Sequence, residues 1–376
     1  MKKATNALLI IKTAALGDVL RTTAILPGLK EKYDLPIYWA TSQGARPLLK
    51  NNSLIDRIFV LENDKRDKNI NNDKKSARQK LRNTSFELVI NLEEDYEPCE
   101  LASSLKSRRI FGAYLEPESR KITYTSDSSE WFDMSLISRH GKEKADYLKT
   151  VNQKAHQQIL CDGLKIRPAS PSLYLSPEQY AFAEKFRLKN NIHDNELVIG
   201  INSGAGKAWE MKKWESGSIV ELINKLAYEL NAKVILFGGL DERERNYEIL
   251  QKVQKAQNAQ NAQESRGKKT ENMIIDAGCD NTLEEFIGLV NLCQVLLASD
   301  SLAMHIGIAL KKNVNVILGP TSPYEIELYG RGEKIVSELP CICCYKRTCD
   351  KEINCMNSIK VKTVFDKIKK QVTNTS

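Results

Sequence analysis

A carboxylate near the start of the chain is placed to do chemistry. Residues 7–11 form a continuous apolar run, and Gly17 and Asp18 follow it after a short loop of small residues. We expect Gly17 to allow a tight turn and Asp18 to begin a helix. The carboxylate could cap the free backbone N–H groups of that helix. It could also act as a general base, since ligands of α/β proteins bind where strands end. These residues alone leave both roles open.

A glycine-rich stretch that ends in Lys207, residues 200–207, comes at the end of a later apolar run. Ser203 and Gly204 belong to it, and small residues here allow backbone N–H groups to approach a phosphate. The spacing is not that of a Walker A loop. Lys212 lies between this stretch and the next predicted helix. It could neutralise a diphosphate there, or it could lie in an exposed basic turn.

A second carboxylate follows the apolar run 233–237. Gly238 comes directly after that run, and Glu242 comes four residues later. A carboxylate at a strand end commonly accepts hydrogen bonds from ribose hydroxyls. The alternative is an acid in the first turn of a helix, which the helix dipole stabilises. The sequence favours neither role.

Three polar residues follow the apolar run 295–298: Asp300, Ser301 and His305. Asp300 or Ser301 is expected to cap a helix, with His305 on its next turn. A hydrolytic triad is not expected, because there is no Gly-x-Ser-x-Gly elbow and all three residues lie in one short segment. We expect them to hold an anionic ligand at the helix N-terminus. A structural role remains the alternative for His305.

The apolar runs that precede these residues recur along the chain and alternate with helical patterns. They are continuous, as in strands that are covered on both faces, and strand–helix alternation indicates a parallel, doubly wound sheet. The pattern occurs twice, so we predict an α/β protein with two Rossmann-like domains that face a cleft. The predicted strands are residues 7–11, 37–40, 58–61, 86–90, 110–112, 197–201, 233–237, 273–276, 295–298 and 313–318.

Three prolines mark a break between the two halves of the chain. Pro168, Pro171 and Pro177 precede a charged amphipathic helix, and the strand pattern restarts after it. The predicted parts are an N-terminal domain (1–165), a linker (166–196), a C-terminal domain (197–358), and a final helix and tail (359–376).

Composition narrows the class of protein. The 376 residues suffice for two domains, and 28% charged residues with a net charge of +8 favour an anionic partner such as a phosphorylated ligand or an acidic membrane surface. Basic and acidic residues are interspersed, so a dedicated nucleic-acid-binding protein is not expected. Lys12 interrupts the first apolar run, and no cleavage pattern or membrane-spanning run follows. We expect a cytoplasmic protein, with peripheral contact at the inner face of the cytoplasmic membrane as a candidate property.

Two segments depart from the α/β pattern. Residues 62–85 are rich in lysine and arginine and are expected to form a mobile loop that leads into a helix, or simply a solvated charged face. Residues 251–269 contain a low-complexity stretch of glutamine, asparagine and alanine, which we interpret as a surface insertion without chemistry.

Five of the nine cysteines cluster near the C-terminus. Thiolates of Cys341, Cys344, Cys349 and Cys355 could close a structural metal site, although the spacing is not the usual paired Cys-x-x-Cys. An oxidation-sensitive disulfide is a second interpretation. The third is a set of reduced thiols in a loop that leads to the final helix.

Five motifs in a fixed order resemble those of glycosyltransferase family 9, the lipopolysaccharide heptosyltransferases. They are Leu16-Gly17-Asp18, Lys212-Lys213-Trp214, Phe237-Gly238-Gly239 with Glu242, Asp300-Ser301-Leu302-Ala303-Met304-His305, and Gly319-Pro320-Thr321-Ser322-Pro323. The resemblance covers most of the chain. It implies a GT-B fold, an acceptor site in the first domain and an ADP-sugar site in the second. It also implies inverting transfer with no cofactor or catalytic metal, and the sequence contains no Asp-x-Asp pair.

The resemblance further implies roles for individual residues. Asp18 would be the general base, Lys212 would neutralise the diphosphate, and Glu242 would hold the ribose. The other residues of the donor site would be Ser203, Gly204, Gly238, Asp300, Ser301 and His305. The basic residues Lys74, Lys75 and Arg78 would bind a glycolipid or oligosaccharide acceptor. The donor would be ADP-heptose or a similar nucleotide sugar. The alternatives are a transferase that uses another nucleotide sugar and a non-catalytic binding protein of the same fold.

Overall fold

The computed structural model describes residues 6–61, 77–263 and 273–373. The chain divides into two compact units, Met1–Tyr174 and Leu175–Ser376. This division falls inside the segment predicted as a linker, residues 166–196. The helix Pro177–Lys189 of that segment lies in the second unit, where it packs against the helix Leu283–Asn291.

Seven strands form the sheet of the first unit: β1 (Asn6–Ile11), β2 (Ile37–Thr41), β3 (Arg57–Val60), β4 (Ser85–Asn91), β5 (Lys106–Ser107), β6 (Ile110–Leu115) and β7 (Ile122–Tyr124). Their order is β3-β2-β1-β4-β6-β7, with β5 paired to β4. All pairs are parallel except β6 with β7, which is antiparallel. Residues Ala7 to Ile11 of β1 have no solvent exposure, which accounts for the continuous apolar run in the sequence.

The helices of the first unit include α1 (Leu16–Thr22), α2 (Leu26–Tyr33), α3 (Tyr96–Ser104), α4 (Ser129–Phe132), α5 (Gly141–Val151) and α6 (His156–Leu164). Residues 77–82 are also helical. One buried cluster joins Leu9 of β1, Tyr38 of β2 and Leu101 of α3. The loop between β1 and α1 therefore leaves from the centre of the sheet and its core.

Six parallel strands form the sheet of the second unit: β8 (Val198–Asn202), β9 (Lys233–Phe237), β10 (Ile274–Asp276), β11 (Val295–Ser299), β12 (Asn313–Leu318) and β13 (Gly332–Val336). Their order is β10-β9-β8-β11-β12-β13. The order reverses beside β8, and ligands of open α/β sheets bind outside the strand ends at such a switch point.

The described helices of the second unit are α7 (Pro177–Lys189), α8 (Ser216–Leu230), α9 (Arg243–Gln263), α10 (Leu283–Asn291), α11 (Leu302–Ala309) and α12 (Val361–Thr373). Helix α8 buries apolar residues at the spacing of one helical face, namely Ile219, Leu222, Ile223 and Leu226. Helix α12 joins the same core through Val364, Phe365 and Ile368. Within the described ranges, no helix has the length and apolar character needed to cross a membrane.

The prediction of an α/β protein with two doubly wound parallel sheets is confirmed. All ten predicted strands are present. Three strands were not predicted: β5, β7 and β13. The antiparallel β7 also makes the first sheet mixed at one edge.

Candidate active site

Asp18 lies in the first turn of α1, but it does not cap that helix. The capping position is Ala15, whose backbone is left-handed (φ 55°), and no side chain caps the helix. The Asp18 N–H donates to the Ala15 carbonyl at 2.7 Å. The predictions that Gly17 makes the turn and that Asp18 is the cap are therefore wrong, because Ala15 takes the left-handed conformation and starts the helix earlier.

The carboxylate of Asp18 is held by Arg21 instead. Asp18 Oδ1 and Arg21 Nη2 are 2.9 Å apart, and the side chains are 30% and 14% exposed. The Arg21 guanidinium also lies 5.7 Å from the centre of the Trp131 ring, which belongs to α4. The ion pair thus fixes the direction of Asp18 and leaves part of its carboxylate accessible. Neither Arg21 nor Trp131 was predicted from the sequence.

Glu93 shapes the loop that precedes Asp18. Its Oε1 accepts hydrogen bonds from the N–H groups of Thr13 and Ala14, at 2.5 and 2.9 Å, and lies 3.2 Å from Lys12 Nζ. Lys12 and Glu93 are both buried. Glu93 follows β4, which pairs directly with β1, so the two strand ends share one carboxylate. The sequence signal was an acidic residue just after an apolar run, but only the strand order shows its partner.

The structure describes one of the three predicted acceptor-binding residues, Arg78. Arg78 lies in a helical stretch, residues 77–82, and its Nη2 contacts Glu97 Oε2 of α3 at 2.9 Å. Lys74 and Lys75 lie outside the described residues. Arg78 therefore has an ion pair within the first unit.

In the second unit, Lys212 and Asp300 form an ion pair across 88 positions of sequence. Lys212 Nζ lies 2.7 Å from Asp300 Oδ2. Lys212 ends a 3-10 helix, Lys207–Lys212, that follows β8, and Asp300 follows β11, the neighbour of β8. The two side chains are 11% and 21% exposed. The structure thus brings together two of the predicted donor-site residues at the carboxyl ends of adjacent strands.

Glu242 is buried and carries two contacts. Its Oε1 lies 3.2 Å from Lys213 Nζ, and its Oε2 accepts a hydrogen bond from the Gly239 N–H at 3.0 Å. Lys213 also contacts Glu210 at 2.8 Å. Burial alone would lower the pKa of Lys213, but its hydrogen bonds to Glu210 and Glu242 outweigh burial and raise that pKa. Lys213 was missed as a partner of Glu242.

The predicted glycines allow this carboxylate to approach the backbone closely. A Cβ atom on Gly204 would lie 2.3 Å from Glu242 Cδ, and one on Gly238 would lie 2.7 Å from Asn246 Nδ2. Ser203 is 2% exposed, and its hydroxyl donates to Asn246 Oδ1. Its hydroxyl is thus engaged inside the second unit.

Ser301 occupies the capping position of α11, as predicted, but its side chain does not cap the helix. Its Oγ is buried and has no hydrogen-bond partner among the described residues. The His305 N–H donates to the Ser301 carbonyl at 3.3 Å. Ser301 and the first turn of α11 therefore lie beside the Lys212–Asp300 pair, with a hydroxyl that has no partner in the described chain.

The metal site, which was one of three interpretations of the clustered cysteines, stays a prediction. All nine are free: Cys343 and Cys355 are buried, whereas Cys344 and Cys349 are exposed. In the parts of the chain that the structure describes, no group of three or more histidine, cysteine, aspartate or glutamate side chains is placed to hold a metal ion. Burial, together with the charges of Cys344, Cys341 and Cys349, raises the pKa of the Cys355 thiol to about 11.

Comparisons with known proteins identify the family of this chain. The profile of glycosyltransferase family 9 (heptosyltransferase) matches residues 75–354. The chain is 26% identical over 275 residues to a lipooligosaccharide heptosyltransferase 2 of Campylobacter jejuni, a match that covers 69% of this chain and 78% of that protein.

Two solved structures are similar over almost their whole length. A family 9 glycosyltransferase from Veillonella parvula has a TM-score of 0.75 at 16% identity, covering 100% of this chain and 99% of that one. The ADP-heptose lipopolysaccharide heptosyltransferase II of E. coli has a TM-score of 0.61 at 14% identity, covering 98% and 99%. These structures confirm the predicted GT-B fold. The profile match spans well over half of the sequence, and the chain therefore belongs to glycosyltransferase family 9, whose members are heptosyltransferase-type glycosyltransferases.

Proposed function

We propose that the protein transfers a heptose from ADP-heptose to the sugar of a lipopolysaccharide-core-like glycolipid, with inversion at the anomeric carbon. The observation that carries the proposal is the Lys212–Asp300 pair at the carboxyl ends of β8 and β11, in a chain of family 9. The names of its relatives support it, since they include an ADP-heptose transferase and a lipooligosaccharide transferase.

The donor diphosphate would bind at the start of α11. Lys212 offers a positive charge there, and Asp300 holds its ammonium group in place at 2.7 Å. The unpartnered Oγ of Ser301 would donate to a phosphate oxygen, and the N-terminus of α11 favours negative charge. His305, on the next turn, would contact the sugar. These groups stabilise the charge that develops on ADP as it leaves.

The nucleoside would lie beside the Gly204–Glu242 contact. Glu242 would accept hydrogen bonds from ribose hydroxyls while Lys213 offsets its charge at 3.2 Å. A buried carboxylate with one cation retains lone pairs for two hydroxyl donors. Gly204 and Gly238 would keep this wall of the site free of side chains.

Asp18 would act as the general base. The acceptor hydroxyl oxygen attacks the anomeric carbon, its proton passes to the Asp18 carboxylate, and the bond between the anomeric carbon and the phosphate oxygen breaks with its electrons leaving on ADP. Attack on the face opposite the leaving group inverts the configuration. Lys212 supplies positive charge to the leaving group, so we propose that transfer needs no metal ion.

The basic residues Lys74, Lys75 and Arg78 would bind phosphates of the acceptor. The Arg78 side chain is 19% exposed and that of its partner Glu97 is 62% exposed, so an acceptor phosphate would compete with Glu97 for the Arg78 guanidinium. Neutralising all three residues should raise the KM for the acceptor and leave the KM for the donor unchanged. An unchanged acceptor KM would remove this part of the proposal.

The base assignment is tested with Asp18→Asn. This variant should lose transfer by at least about a hundredfold and still bind ADP with wild-type affinity in calorimetry. Asp34→Asn is the matched control, because Asp34 is exposed at the end of α2 and asparagine tolerates its left-handed backbone. Wild-type turnover in Asp18→Asn would overturn the assignment of Asp18.

The donor is tested with ADP-heptose beside UDP- and GDP-sugars, with the released nucleoside diphosphate identified by chromatography. We expect release of ADP, and only in the presence of a glycolipid acceptor. Turnover of a UDP- or GDP-sugar in preference to ADP-heptose would contradict the proposed donor and leave the transferase chemistry intact.

A further inference from the structure

Two cations lie near the indole ring of Trp209, and only one of them has been given a role above. Lys212 Nζ lies 4.5 Å from the centre of the indole ring, and Arg347 Cζ lies 5.9 Å from the same ring. The two cations are thus no more than about 10 Å apart, the sum of these distances. Arg347 belongs to the cysteine-rich segment, residues 341–355.

The positive charge of Arg347 is not paired with a described carboxylate. Lys212 is paired with Asp300, whereas no described carboxylate lies within ion-pair distance of Arg347. Because Asp300 offsets the charge of Lys212, the net positive charge beside the ring comes from Arg347. An aromatic ring compensates such a charge by only about 1 kcal/mol at an exposed site. The remaining positive charge favours an anion bound beside the ring.

The fold fixes the segment that carries Arg347. The Cys343 N–H donates to the Gly319 carbonyl at 3.0 Å, and the Tyr345 N–H donates to the Pro320 carbonyl at 2.8 Å. The Tyr345 hydroxyl accepts from the Ser322 N–H and donates to Glu325, at 3.2 and 2.6 Å. The segment is therefore fastened to the loop that follows β12, the neighbour of β11.

We propose that Arg347 binds the diphosphate of the nucleotide sugar together with Lys212, over the ring of Trp209. This inference rests on the proposed function and gives the cysteine-rich segment a part in the donor site. The charge of Lys212 is already offset by Asp300, so a diphosphate with two negative charges needs a further cation. A guanidinium presents paired N–H groups that match two phosphate oxygens, and it is weakly hydrated.

The proposal assigns Arg347 to the diphosphate and to no other part of the nucleotide. ADP has this diphosphate and AMP does not, so the two nucleotides are the probes. Calorimetry with Arg347→Ala should show ADP affinity reduced about tenfold and AMP affinity reduced by less than about threefold. Arg347→Lys keeps the charge but not the paired donors, and its ADP affinity should fall between those of the wild type and Arg347→Ala. Lys346→Ala is the matched control, because it removes the same charge from the adjacent exposed residue and should bind ADP as the wild type does.

Two results would overturn the inference. One is ADP affinity in Arg347→Ala within twofold of the wild type. The other is an equal loss in Arg347→Ala and Lys346→Ala, which would indicate a general effect of surface charge. Thermal unfolding of each variant shows whether a loss of affinity comes from misfolding. If Arg347→Ala is misfolded, the ADP affinity of Arg347→Lys decides whether Arg347 binds the diphosphate.

The same experiment distinguishes failure of the inference from failure of the proposed function. If the wild type binds UDP or GDP in preference to ADP, the proposed donor is wrong. Arg347 is then tested with that diphosphate and its monophosphate, with the same expected losses. If the wild type binds no nucleoside diphosphate, the inference is overturned together with the proposed donor site.

Discussion

The guanidinium of Arg21 contacts the carboxylate of Asp18 at 2.9 Å from the next turn of the same helix, and it also lies over the indole ring of Trp131. Arg21 is thereby held from two sides, by a charge and by an aromatic face. Asp18 has no capping role to fix its direction, so its orientation depends on Arg21. This makes Arg21 a positioning residue for the proposed base.

Arg21→Ala should lower kcat by about ten- to a hundredfold, because a base that leaves its productive geometry loses most of its effect. ADP affinity should not change, since Arg21 lies in the first unit. Arg21→Lys keeps a charge near Asp18 and should retain part of the activity. Arg108→Ala serves as the control, because Arg108 forms an exposed pair with Glu87. Steady-state kinetics in which Arg21→Ala matches the wild type would show that Asp18 does not depend on it.

Glu93→Gln should destabilise the first unit, because it leaves the ammonium group of Lys12 buried without a charge partner. The amide can still accept hydrogen bonds from Thr13 and Ala14, so we expect a loss of about 2 kcal/mol or more in the free energy of unfolding. Glu87→Gln on β4 is the matched control, because its partner Arg108 is 78% exposed, and it should cost less than about 1 kcal/mol. Urea unfolding of both variants measures the difference. Equal losses would mean that burial of the Lys12–Glu93 pair is unimportant.

The strands of the fold could be predicted because both sheets are covered on both faces. Continuous apolar runs marked ten of the thirteen described strands, including those at the centres of both sheets. The exceptions have physical causes: β5 has two residues, β7 is half-buried and antiparallel, and β13 is a half-buried edge strand. None of these three produces a continuous apolar run.

The site could be predicted only where strand ends define it. Lys212 and Asp300 were expected at one edge because each follows a strand, and they form a pair. The conformation of Ala15 and the buried pairs of Glu93 with Lys12 and Glu242 with Lys213 were not expected. The left-handed backbone at an alanine has no sequence signal, and each buried pair depends on which strands are neighbours or on how a loop folds back.

We expect the contribution of the Lys213–Glu242 pair to the free energy of unfolding to decrease at alkaline pH. The pKa of Lys213 is raised in the folded protein, so its contribution to stability is complete below the usual pKa of lysine and is lost as the pH rises through the raised value. The difference in unfolding free energy between the wild type and Lys213→Met should be constant near neutral pH and shrink above about pH 10.5. Lys225→Met, which removes a partly exposed pair with Glu229, is the control. Urea unfolding at a series of pH values measures both, and a difference for Lys213→Met that grows with pH would contradict this assignment.

Gly319 connects the end of β12 to the segment that carries Arg347. A Cβ atom there would lie 2.5 Å from Cys355 Sγ and 2.9 Å from Cys355 Cβ, so Gly319→Ala must displace Cys355. We expect a loss of about 1–3 kcal/mol in the free energy of unfolding and weaker binding of ADP, because the displaced segment moves Arg347.

The double variant Gly319→Ala/Cys355→Ala removes the contact with Sγ and keeps the one with Cβ. It should therefore be more stable than the sum of the two single changes indicates, and it should recover part of the ADP affinity. Gly217→Ala is the control, because a Cβ atom at Gly217, in the first turn of α8, meets no atom within 4 Å, and alanine favours a helix. Chemical unfolding and calorimetry of the wild type, the two single variants and the double variant complete the double-mutant cycle. Strict additivity would mean that Gly319 and Cys355 act independently.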